Sequence, residues 1–113
     1  MTAPISAQPV RSIAILVINA RSEPVLCPFF RKCDGVLLVD RSGRQTQLHK
    51  PDISGDESVC DLVLRLKPDG LICGFVGDAE KERLNAAGID VRLGSCSCPI
   101  DELYAEFDNL PPA

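Results

Sequence analysis

The chain is expected to fold as an α/β domain in the order βββαβαβα, with a mixed five-stranded sheet covered by helices, and three observations carry that expectation. Residues 12–18 form a short, almost continuous β-branched and aliphatic run, as in a strand buried on both faces. Further along, apolar residues at helical spacing alternate with short apolar runs, at 71–73 and 89–93, that are bounded by glycine and proline. Strands joined through helices pair in parallel by right-handed crossovers, so these later strands should lie beside the first.

Ser12-Ile13-Ala14-Ile15-Leu16-Val17-Ile18 is the first strand and should be central. Residues 19–35 hold Asn19, Ser22, two prolines and Gly35, and predict a loop longer than most connections in a compact domain. Val36 to Asp40 is the second strand, Arg41-Ser42-Gly43 a turn, and Arg44 to His49 an alternating third, so these two should form a hairpin. Ser54-Gly55-Asp56-Glu57 fits a capping box, and Val59, Leu62, Val63 and Leu66 follow at helical spacing until Pro68-Asp69-Gly70, predicting a helix over 55–67. Leu71-Ile72-Cys73 is a buried strand, and Gly74-Phe75-Val76-Gly77-Asp78 turns it into a second helix that Gly88 ends. Ile89 to Leu93 is the fifth strand. Gly94 allows a tight turn, Pro99 suits the first helical position, and Ile100, Leu103, Tyr104 and Phe107 mark one face of a last helix. Leu110-Pro111-Pro112 should fray. No repeat or linker divides the chain, so residues 1–113 read as one domain with an ordered core over about 12–107.

Composition narrows the function. With four Phe, one Tyr and no Trp, the core must be aliphatic. Met1 to Val10 offers no apolar run long enough for a signal peptide or membrane span, which points to the cytoplasm. In that reducing setting six cysteines favour metal ligation or core packing over a disulfide framework. The net charge of −4 is divided into +4 over residues 1–50 and −8 over 51–113, and no basic stripe is interleaved with aromatics, which argues against nucleic acid as a partner.

The strongest chemical signal is Cys96-Ser97-Cys98-Pro99, two thiols where a turn meets a helix start, with Asp101 and Glu102 in the first turn. Unpaired N–H groups at a helix start favour a thiolate or an anionic metal-sulfur centre. The alternative is that Cys98 only occupies the N-cap and Cys96 fills a small pocket. Ligands in open α/β sheets sit beyond the carboxyl ends of parallel strands, where the loops at 19–35, 74–78 and 94–98 should meet. That convergence makes Cys27, Cys33, Cys96 and Cys98 candidate metal ligands, with Arg31 and Lys32 as charge partners and Gly74 and Gly77 offering backbone N–H groups. Cys73 just precedes the 74–78 loop and is a fifth thiol able to join that convergence, but on a buried strand it reads first, like Cys60 beside an apolar helix face, as a small hydrophobe, and His49 reads as an exposed strand end. Gly74-x-x-Gly77 is too short for a dinucleotide fingerprint, and no nucleophile–base pair or two-metal carboxylate set is visible, so the sequence argues for binding rather than catalysis.

Two stretches resemble the dinitrogenase iron-molybdenum cofactor biosynthesis family, small nitrogenase accessory factors of nitrogen fixation. Leu71-Ile72-Cys73-Gly74-Phe75-Val76-Gly77, followed by Leu84-Asn85-Ala86-Ala87-Gly88-Ile89-Asp90-Val91, is similar to that family's strand, glycine turn, helix and following strand. Pro28-Phe29-Phe30-Arg31-Lys32-Cys33 through Val36-Leu37-Leu38-Val39-Asp40 is similar to its loop and second strand. The likeness spans about residues 12–107 and implies a ribonuclease H-like layered α/β fold and a non-catalytic carrier of an iron-sulfur or iron-molybdenum-type cluster, with donor and acceptor proteins as partners. The chain differs from the family in Phe30 where glycine is usual, in Cys96-Ser97-Cys98, and in its cysteine-rich first loop. A second reading, from the cysteines themselves, is a thiol redox or regulatory protein using Cys96 and Cys98 as a strained, reversible pair. A third is an inert interaction domain with structural cysteines.

Overall fold

The computed structural model describes residues 12–18, 25–27, 33–40, 45–50, 58–95 and 97–113. Its centre is β1 (Ser12–Ile18), whose residues Ile13 to Val17 have no solvent exposure. Around it lie β2 (Val25–Leu26), β3 (Gly35–Asp40), β4 (Gln45–His49), β5 (Gly70–Cys73) and β6 (Asp90–Leu93). The strand order is β4-β3-β1-β5-β6. β1 runs antiparallel to β3 and parallel to β5, and β5 parallel to β6, so the sheet is mixed as expected.

The sheet has six strands rather than five. Val25 and Leu26, inside the expected loop, pair antiparallel with Ile18 and Val17. β3 already occupies one edge of β1 as far as Val17, so β2 takes the other edge, beyond the end of β5. Three apolar residues between Pro24 and Pro28 carry no periodicity, so the strand is set by its partner rather than by its own pattern. The hairpin of β3 and β4 forms with Val36 opposite His49 and Asp40 opposite Gln45. Its turn, residues 41–44, lies outside the described residues.

Helices α1 (Val59–Leu66), α2 (Asp78–Ala86) and α3 (Ile100–Ala105) complete the architecture, followed by a 3₁₀ turn at Phe107–Asn109. α1 begins at Val59 and not at residue 55. The capping box is built by Ser58, whose Oγ accepts from the Asp61 N–H at 3.1 Å while Asp61 Oδ2 accepts from the Ser58 N–H at 3.3 Å. The expected box at Ser54 to Glu57 lies outside the described residues. α2 ends as foreseen at Gly88, whose φ of +83° lets its N–H reach the Asn85 carbonyl and the Ile89 N–H reach that of Leu84, a Schellman motif. Pro99 is the N-cap of α3, with φ −61° and ψ 150°, rather than its first helical residue; Cys98 therefore lies one step outside the helix.

The sheet separates two apolar layers. On one face Ala14, Leu16, Val36, Leu71, Cys73 and Val91 pack with Cys27, Cys60, Leu62 and Leu84, beneath α1 and α2. On the other Ile13, Ile15, Val17, Val39 and Ile72 meet Leu103 and Phe107, beneath α3. None of the buried side chains among the described residues is polar or charged. Gly94 is required by this second layer, because a Cβ there would stand 2.8 Å from Leu103 Cδ2 and 3.0 Å from Ile72 Cγ2.

The carboxyl terminus does not fray. The Leu93 N–H donates to the Pro111 carbonyl at 2.9 Å and the Ala113 N–H to that of Val91 at 3.0 Å, with Pro112 bridged to Arg92. Arg92 holds the segment in place: its guanidinium donates twice to Asp90, each at 2.9 Å, and to the Leu110 carbonyl at 2.9 Å, and lies 5.2 Å over the Phe107 ring. Proline lacks the N–H of an inner strand but can accept along an edge, so Pro111-Pro112 closes the β6 side of the sheet.

Candidate functional site

The carboxyl ends of parallel β1 and β5 carry the chemistry. Cys73 is the last residue of β5, and its register continues to Leu16 on β1. β2 delivers Cys27 to the same place, where its N–H donates to the Leu16 carbonyl at 2.7 Å. Cys33 returns the chain to β3, and the next residue, Asp34, donates its N–H to the Val17 carbonyl at 2.9 Å. Two adjacent carbonyls of β1 thus hold the segments bearing Cys27 and Cys33. Cys27 and Cys73 belong to the layer under α1 and α2, and Cys33 packs against it half-buried.

The three thiols interact. Burial pushes the Cys33 thiol well above its usual range, and its hydrogen bond with Cys27 and the proximity of Cys27 and Cys73 push it further. Cys73 is pushed up to about 12 by burial alone, and its Sγ lies 3.9 Å from the Arg92 carbonyl oxygen as donor. Neutral thiols are what an apolar site favours before a soft metal replaces the protons. Among the described residues no group of three His, Cys, Asp or Glu side chains is spaced to hold a single metal ion. Cys27 and Cys33 thus form a hydrogen-bonded pair, with Cys73 near enough to influence Cys33.

Of the expected ligands, the structure brings Cys27 and Cys33 together and places Cys98 elsewhere. Cys98 packs, half-buried, against the apolar layer of Ile13, Ile15, Ile72, Leu103 and Phe107, on the other side of the sheet. It ends a turn in which its N–H donates to the Ser95 carbonyl at 3.1 Å and the Ser95 and Ser97 hydroxyls lie 2.7 Å apart. Cys96, Arg31 and Lys32 lie outside the described residues. Gly77 is the N-cap of α2, with the Glu80 carboxylate folded close to it at 3.0 Å from an added Cβ, so acidic Glu80 already faces that helix start. Gly74 is half-buried in the bend that leaves β5.

Three residues take a fuller place than their sequence reading gave them. Cys73, read as core but also as one of the thiols able to converge, lies in the core and close enough to Cys33 to influence it. Phe75, two residues later in the connection that leaves β5, is 59% exposed. His49, expected as an exposed end, is half-buried opposite Val36, and its Nε2 is covered without a hydrogen-bond partner. The alternation of β4 indicated its face, but not the cover over its ring. Cys60 is buried in the core as foreseen, and burial raises its thiol.

No helix among the described residues is long and apolar enough to cross a membrane. No protein-family model matches the chain, and no curated protein matches it in sequence. Solved structures do match in shape. The orange protein of Desulfovibrio gigas, determined in its apo form, superposes with a TM-score of 0.78 at 20% identity, over 95% of this chain and 96% of that one. A NifB-like protein from Thermotoga, of the DUF35 family, superposes with a TM-score of 0.67 at 15% identity, over 88% of each chain. At such identities the likeness is one of fold, and over nearly its whole length this chain has the layered α/β fold of those two proteins.

Proposed function

We propose that the protein is a non-catalytic carrier of an anionic metal-sulfur cluster, taken up at the carboxyl ends of β1 and β5 and passed between a donor and an acceptor protein. The observation that carries this reading is the meeting of Cys27, Cys33 and Cys73 at that sheet end. The fold shared with the orange protein, whose structure is of an apo form, and with a NifB-like protein supports it. Thiolates are soft ligands suited to iron-sulfur and related units, and the cluster is cargo rather than a resident group. Cys27 and Cys33 would supply sulfur, and Arg31 and Lys32 opposing charge. Cys98, on the α3 side of the sheet, would not share that ligand set.

The test is anaerobic reconstitution with ferrous iron and sulfide, read by visible charge-transfer absorption and by iron and sulfide content. Uptake by the wild-type chain, its loss in Cys27→Ser/Cys33→Ser, and its retention in Cys60→Ser are expected. A wild-type chain that stays colourless and metal-free overturns the reading. Because ligation displaces thiol protons, uptake should strengthen from pH 7 to pH 9.

A further inference from the structure

His49 ends β4 at the same end of the sheet as the thiols, because β4 and β1 both run antiparallel to β3. It lies directly opposite Val36, which in turn lies opposite Leu16, and residues opposed across a sheet present their side chains to one face. Val36 and Leu16 belong to the layer that holds Cys27 and Cys73 and receives Cys33, so the imidazole shares both face and end with three sulfurs. Cys33 stands two residues ahead of β3, the strand between β4 and β1, so the order across this end is His49, Cys33, Cys27. Gly35 permits a close approach of the strands there, since a Cβ on it would stand 2.7 Å from the His49 carbonyl oxygen. The His49 Nε2 is shut off from solvent and has no hydrogen-bond partner. A covered polar atom left unpaired costs stability, and such atoms are rare enough in folded chains that each calls for a role.

We propose that His49 Nε2 is a nitrogen ligand to the metal-sulfur cargo, completing a mixed site with Cys27 and Cys33. The inference rests on the carrier reading and adds to it a ligand of a second chemical type. In the neutral ring Nδ1 keeps the proton and Nε2 offers its lone pair to a metal. Among the described residues no three His, Cys, Asp or Glu side chains are spaced around one ion, so the histidine and the thiols meet different metal atoms of one cluster. Unlike a thiol, the imidazole gives up no proton on ligation and adds no negative charge. A cluster held partly by nitrogen is therefore easier to reduce than one held by thiolates alone. The metal also gives the covered nitrogen the partner it lacks in the empty chain.

His49 is the chain's one histidine, so full-length protein grown on histidine with heavy-nitrogen imidazole carries the label at that residue alone. The labelled wild-type protein is reconstituted without oxygen from ferrous iron and sulfide, brought by a one-electron step to its odd-electron form, and measured by pulsed electron paramagnetic resonance. A strong hyperfine coupling to the labelled nitrogen is expected, replaced by the ordinary-nitrogen pattern in unlabelled protein and absent from His49→Leu. His49→Leu should hold the wild-type urea midpoint, because the nitrogen it removes has no partner, yet lose its iron to a chelator several-fold faster. His49→Cys should restore retention while lowering the reduction potential, as an anionic ligand replaces a neutral one. A wild-type cluster without coupling to the histidine nitrogen overturns the proposal and leaves the carrier reading standing, as does equal retention of iron by His49→Leu. A wild-type chain that takes up no cluster removes the carrier reading and this ligand with it.

Discussion

Gly94 shows how much a single missing methyl group decides. It sits where the chain leaves β6 with Leu103, Ile72 and Leu26 all within 3.2 Å of where a Cβ would stand. Gly94→Ala should therefore overpack the α3 layer and cost about 1–3 kcal/mol, measured as a lower urea midpoint at unchanged slope. Ser58 offers a contrast, because its hydroxyl satisfies one N–H at the start of α1. Ser58→Ala should cost about 1 kcal/mol in the same measurement. At this scale the sequence was partly legible. The burial of Cys60 and the helix stop at Gly88 followed from apolar spacing and backbone freedom, both local properties. Cys73 and Cys27 were harder, because what joins them is the placement of β2 beyond the end of β5, and that depends on residues far apart in the chain.

Among the elements, the tail along β6 has the largest consequence. An uncovered parallel edge is a template for pairing with other chains, and the segment from Leu110 to Ala113 covers this one. Removing residues 110–113 should raise the tendency to self-associate, seen as concentration-dependent sedimentation or light scattering, where the full chain stays constant. Arg92→Ala should reproduce part of that effect, since it loses both Asp90 contacts and the hold on the Leu110 carbonyl. The sequence suggested the opposite for this tail. Two prolines beside Leu110 lack a helical or strand pattern, and their partners, the β6 backbone at Val91 and Leu93 and the Arg92 side chain, lie far off in the chain. The start of α1 was misplaced because two serines, Ser54 and Ser58, each stand three residues before a carboxylate, and spacing alone does not choose between them.

For the whole molecule, buried thiols tie stability to alkaline pH. Cys73 ionises near its ordinary value of 9.0 when unfolded but is pushed up to about 12 by burial when folded. The folded chain therefore binds more protons than the unfolded one between those values. Stability from this group is fully present below pH 9 and is lost as pH rises toward 12, at about 1.4 kcal/mol per pH unit. Cys33, shifted in the same direction, adds to the slope. Urea midpoints taken between pH 8 and pH 11 should fall, and a Cys73→Ala variant, less stable at pH 8, should fall less steeply. The layered α/β class was legible at this scale because a short, β-branched aliphatic run reads as a strand buried on both faces, and the amphipathic helices that follow it can cover those two faces.

That central strand also sets the order in which the molecule can come apart. β1 alone joins the antiparallel pair β3–β4 to the parallel pair β5–β6, so either wing can open while the other keeps its ladder, but β1 cannot lose its partners without both. Amide hydrogen exchange should therefore divide into cooperative units: the β4 and β6 edges exchanging through partial openings, and the Ile13 to Val17 amides only when the entire chain unfolds, with a free energy equal to the global one.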